Sequence, residues 1–134
     1  MDLVVDANVL FAVLIKEGIN HELVFTETLH LFTPEYLFSE LEEHKDEILG
    51  KTERSEEDFL HLLSILRHRI TIVPLEELVD YVEEAEKISP DPDDMVYFAL
   101  ALKLQCPIWS YDRKMKNQSK IMVYTTREVL QLVQ

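Results

Sequence analysis

The sequence predicts an α/β domain built on a mostly parallel, five-stranded sheet. Three observations lead there. Five short apolar stretches recur along the chain, amphipathic or apolar helical patterns separate them, and only two glycines and five prolines punctuate 134 residues. Strand alternating with helix in this way calls for crossover connections and therefore parallel pairing. The strand candidates are LVVD (3–6), HLF (30–32), ITIV (70–73), PIWS (107–110) and IMVY (121–124).

The helical patterns follow in order. Asn8 to about Lys16 is apolar and compact, and His21 to Thr28 makes a short second helix. Pro34 to Leu49 starts with a proline suited to a first helical turn and carries the stripe Leu37, Leu41 and Ile48. Ser55-Glu56-Glu57-Asp58 resembles a capping box ahead of Phe59, Leu62, Leu63 and Leu66. Leu75 to Ile88 repeats the amphipathic pattern with Leu78, Val82 and Ala85. Asp94 to Leu104 is apolar on almost every face, as a buried helix is, and Arg127 to Val133 closes the chain.

Length fits one domain, residues 1–134, with a real core, and the 47% apolar content argues against disorder. No stretch approaches the ~20 apolar residues of a membrane span. Asp2 and Asp6 stand where a signal peptide would be basic. The single cysteine, Cys106, excludes an internal disulfide and a cysteine-based zinc site, so a reducing cytoplasm is the expected setting. The net charge of −13 argues against broad electrostatic capture of nucleic acid and suits a basic partner protein equally well.

Parallel sheets gather ligands beyond the C-terminal ends of their strands, where strand order reverses. Asp6 ends the first strand, and Asp112 lies just past PIWS. Asp91-Pro92-Asp93-Asp94 sits at the entry to the buried helix, and Glu40 lies on the shoulder of a core-facing stripe. Converging carboxylates repel one another and hold protons, and a divalent cation reverses that balance. Each acid also has an ordinary structural use: Asp94 as a helix cap, Asp91 and Asp93 as turn residues, Glu40 in solvent, Asp112 at a turn before Arg113 and Lys114. Asp6 is the hardest to place that way.

The series DANVL, SELEEH, DPDDMVYFALAL and IWSYD, spanning residues 6 to 112, resembles the PIN-domain family. The resemblance implies a three-layer α/β/α sandwich with strand order 3-2-1-4-5. It also implies a ribonuclease using one or two Mg²⁺ or Mn²⁺ ions held by Asp6, Glu40, Asp94 and Asp112. Asn8 and Ser110 match supporting polar positions, and Asp93 is a further acid near the set. The DPDD variant is similar to prokaryotic members, many of them toxins of toxin–antitoxin pairs. RNA, a small antitoxin protein and a second copy of the chain are the partners this implies, with no membrane role.

Arg113, Lys114, Lys116 and Lys120 follow Asp112 and are the candidates for RNA phosphate contact. Arg67-His68-Arg69 ends a helix, where the macrodipole accounts for it. His44, four residues after Glu40, is either a neighbour of the site or a solvated helix position. No serine–histidine–acid order or glycine-rich phosphate loop is present. The rival reading is a non-catalytic or partner-dependent interaction module that keeps the fold, supported by the acidic surface.

Overall fold

The computed structural model describes all 134 residues. Its sheet is parallel throughout, with strands β1 (Asp2–Val5), β2 (His30–Pro34), β3 (Thr71–Val73), β4 (Ile108–Trp109) and β5 (Val123–Tyr124) in the order β3-β2-β1-β4-β5. The first strand is thus central, and strand order reverses on either side of it. Leu3, Val4 and Val5 are fully buried, with Leu3 beside Leu31 and Val4 beside Ile108. Helices flank the sheet: α1 (Ala7–Ile15), α2 (Ile19–Val24), α3 (Tyr36–Glu43), α4 (Lys45–Lys51), α5 (Glu56–Arg69), α6 (Val82–Ile88), α7 (Met95–Leu104) and α8 (Thr126–Val133). No helix is long and apolar enough to cross a membrane.

One core of 35 buried apolar residues joins sheet and helices. Helix α1 contributes Val9, Leu10, Val13 and Leu14, all fully buried, which leaves its last carbonyls in need of donors. The segment between α4 and α5 supplies them. Thr52 Oγ1 donates to the Ile15 carbonyl at 2.6 Å, and Arg54 Nε donates to that of Leu14 at 3.1 Å. Arg69 does the same for the turn before β2, donating to the carbonyls of Thr26 and Leu29 at 2.7 and 2.6 Å. Arg67 lies 4.7 Å over the Phe38 ring and pairs with Glu42 at 2.8 Å. The basic end of α5 is therefore occupied structurally.

Several expected elements differ in extent. Pro34 ends β2 instead of starting a helix, and the expected 34–49 helix is two, α3 and α4, broken at His44. His44 and Lys45 fall where the next core-facing turn of the Leu37–Leu41 stripe would be. Both are polar, and the chain breaks there before Ile48 returns to the core. The 75–88 helix begins as a 3-10 helix, Leu75–Tyr81, in which Leu75, Leu78 and Tyr81 share the three-residue period of that form. Helix α2 starts after Gly18 and stops at Val24, short of Thr28. The stretches 107–110 and 121–124 give only two strand residues each.

Caps fix two helix starts. Ser55 Oγ accepts from the Asp58 amide at 3.1 Å, and Thr125 forms a full capping box with Glu128. Either Ser55→Ala or Thr125→Ala should cost ~1 kcal/mol, because each removes one side-chain acceptor from a helix N-terminus, and the Glu128 bond to the Thr125 backbone amide survives the second change. Urea unfolding of both variants checks this. Unchanged midpoints would show that tertiary packing alone holds the ends of α5 and α8.

Candidate active site

Asp6 lies one residue past β1, at the N-terminus of α1, and is 4% exposed. Its amide donates to the Trp109 carbonyl at 3.1 Å, which carries the β1–β4 ladder one step past the strands. The Ser110 hydroxyl, itself buried, donates to Asp6 Oδ2 at 2.6 Å. The same Ser110 oxygen accepts from the Asp112 amide at 2.9 Å. One serine thereby sets Asp6 and Asp112 side by side. Asp112 Oδ1 also accepts from the Lys114 amide at 2.9 Å, starting the 3-10 turn Arg113–Lys116. Its turn use and its place beside Asp6 coexist.

Asp94 stands at the N-terminus of α7 without a side-chain capping bond. Asp91 does that local work, accepting from the Asp93 amide at 2.9 Å, so Asp91 is the turn residue and Asp94 keeps a free carboxylate. Glu40 is half-buried on α3. Burial raises the Asp6 carboxyl above the usual carboxylate range, against the Ser110 and Ala7 donors that lower it, and Asp112 raises it further. Burial raises Glu40 too; the Tyr36 hydroxyl and His44 lower it, while Asp6 and Glu43 raise it. Asp94 is pushed up to about 6, by burial first and then by the charges of Asp6, Asp112, Asp91 and Asp93. Asp6 is thus the shared neighbour of Asp112, Glu40 and Asp94.

Two tyrosines outside the sequence-level set border this cluster. Tyr36 and Tyr97 have ring centroids 6.0 Å apart, and both phenols are pushed up by burial and by the charges of Glu40 and Asp6. The buried Tyr97 hydroxyl has no hydrogen-bond partner. Their spacing was the available signal: Tyr36 precedes Glu40 by one helical turn, and Tyr97 follows Asp94 by three residues. Of the remaining sequence-level residues, Asn8 and Asp93 are exposed, as is His44, which pairs with Glu47 at 3.1 Å. Lys116 pairs with Glu128 at 2.5 Å, whereas Arg113, Lys114 and Lys120 have no carboxylate within ion-pair distance.

A PIN-domain family model matches residues 4–134. The chain belongs to the PIN-domain family. PIN domains are generally nucleases and typically use divalent metals. The comparison with curated proteins gave no match. The oxygen-only donors of this PIN site suit a hard divalent cation. As the side chains stand, no three of them surround one point closely enough to hold an ion directly.

The raised Asp94 carboxyl has a stability consequence. Unfolded, it titrates near 3.8, and folded near 6, so the native state binds the extra proton between those values. Its contribution is present below pH ~4 and lost as pH rises through ~6. For a half-exposed group this is ~1 kcal/mol after screening. In metal-free buffer, Asp94→Asn should be more stable than the parent at pH 7 by that amount, and the gap should close by pH 4. Parallel pH–stability curves for the two proteins would contradict it.

Proposed function

We propose that this PIN domain is a divalent-metal-dependent ribonuclease that hydrolyses RNA phosphodiester bonds. The single observation that carries the reading is the position of Asp6. It is a buried carboxylate at the C-terminal end of the central strand, at the reversal of strand order, with Asp112, Glu40 and Asp94 as its electrostatic neighbours. Such a cluster destabilises an empty site and favours a cation in it. Asp6, Glu40, Asp94 and Asp112 would hold one or two Mg²⁺ or Mn²⁺ ions. An ion held there would supply a lowered pKa to a bound water and offset charge on the phosphate oxygens.

The chain's own groups do the positioning. Ser110 holds the Asp6 carboxylate in one orientation through Oδ2. The buried Tyr97 hydroxyl lies beside the Tyr36 hydroxyl and the acids. Attack by water forms a new P–O bond and breaks the bond to the 3′ oxygen, which takes up a proton. No ribose 2′-OH is needed as nucleophile, so the products carry 5′-phosphate and 3′-OH ends.

The likeness of DPDD to prokaryotic PIN sequences supports a finer reading, the toxin of a toxin–antitoxin pair held in check by a small antitoxin. The net charge of −13 favours the second reading, an interaction module without catalysis.

Cleavage of RNA in Mn²⁺, with product ends mapped, separates the two. The parent should cut and leave 5′-phosphates, and Asp6→Asn should lose cleavage. Mn²⁺ at ~100 times its Kd should also raise the parent's stability by about 2.7 kcal/mol. An uncut substrate together with a melting temperature unmoved by millimolar Mn²⁺ would sink the nuclease reading.

A further inference from the structure

Tyr111 lies between Ser110 and Asp112, and its side chain is 43% exposed. An exposed aromatic is usually mobile, yet this one is tied to the interior by three successive hydrogen bonds. The buried Trp109 indole donates from Nε1 to Thr126 Oγ1 at 3.1 Å. The Thr126 hydroxyl donates to Asn20 Oδ1 at 2.7 Å, and Asn20 Nδ2 donates to the Tyr111 hydroxyl. The chain links β4, α8 and α2 to a ring on the surface. The Asn20 side-chain oxygen accepts from Thr126, whose hydroxyl is itself held by the buried Trp109 indole, and this leaves the Asn20 amide nitrogen to the Tyr111 hydroxyl. A large part of Tyr111 nonetheless stays open to solvent.

From this arrangement, which rests on the nuclease reading above, we infer that Tyr111 is a stacking platform for an unpaired nucleobase of single-stranded RNA next to the scissile phosphate. Asn20 is its positioning residue. The location suits the role: the neighbours of Tyr111 in the chain are Ser110 and Asp112, both bonded into the carboxylate cluster. A ring fixed before binding loses little entropy when a base lies on it. Stacking is also the affinity source open to this protein. With a net charge of −13, phosphate contacts contribute little away from Arg113, Lys114 and Lys120, whereas a base has a neutral face. A base can reach the ring only when unpaired and unstacked, so the platform selects single strands over duplex.

The experiment uses a short RNA with 2-aminopurine beside the cleavage site, in Mn²⁺, single-stranded and annealed to its complement. Binding to the parent should quench the 2-aminopurine fluorescence, and the single strand should be cut in preference to the duplex. Tyr111→Ala should raise KM for the single strand about tenfold or more, with a smaller change in kcat, and abolish the quench. Tyr111→Trp should restore both. Tyr111→Phe, which keeps the ring and loses its anchor, should weaken binding only about two- to threefold. Equal melting temperatures confirm that the variants fold. If the parent cuts and Tyr111→Ala keeps its KM and its quench, the platform is overturned and the nuclease reading stands. If the parent neither binds nor cuts the RNA, both fall together.

Discussion

The Ser110 hydroxyl is the joint on which the site depends. Donating to Asp6 while accepting from the Asp112 amide, it fastens the end of β1 to the loop after β4, the two strands that flank the reversal of order. Without that donor, Asp6 would be a buried carboxylate with only the Ala7 amide beside it, and burial would favour its neutral form more strongly. With it, the carboxyl at the end of the central strand is held in one orientation. The neighbouring chain positions inherit their geometry from the same joint: Asp112 opens a 3-10 turn, and Tyr111 stands out to solvent between two anchored residues.

Much of this was legible in the sequence, for identifiable reasons. The alternation of short apolar stretches with helical patterns located all five strands, because buried parallel strands read as continuous apolar runs. Asp6 was conspicuous because a carboxylate directly after such a run has no ordinary use. The length of elements was less legible. Nothing local in Pro34–Leu49 marks the break at His44, which comes from polar residues meeting the place where the core would continue. The 3-10 form of Leu75–Tyr81 likewise depends on how that segment docks, as do strands of two residues. Within the site, Tyr36 and Tyr97 escaped notice because aromatic residues on apolar helices usually serve the core. Their spacing from Glu40 and Asp94 gains meaning once the structure sets both phenols beside the acids. The hydrogen-bond chain behind Tyr111 joins residues 20, 109, 111 and 126 and has no sequence signature at all.

Charge and site chemistry pull in different directions in this protein, and the structure shows how they are separated. The basic residues of α5 are spent on carbonyls, on Phe38 and on Glu42, and Lys116 is held by Glu128. Arg113, Lys114 and Lys120, which follow Asp112 in the chain, remain without a carboxylate partner. A substrate carrying many negative charges would therefore be recognised through a few close contacts at the site and not through long-range attraction.

The account holds that the acids around Asp6 retain protons when the site is empty and give them up to a cation. Proton release on Mn²⁺ binding tests this most directly, measured by titration calorimetry in two buffers of different ionisation enthalpy. Near pH 6, where Asp94 is about half protonated, each protein should release a substantial fraction of a proton or more on binding. The release should shrink toward pH 8 and fall in Asp94→Asn. Binding with no proton release at pH 6, or no binding at all, would contradict the account.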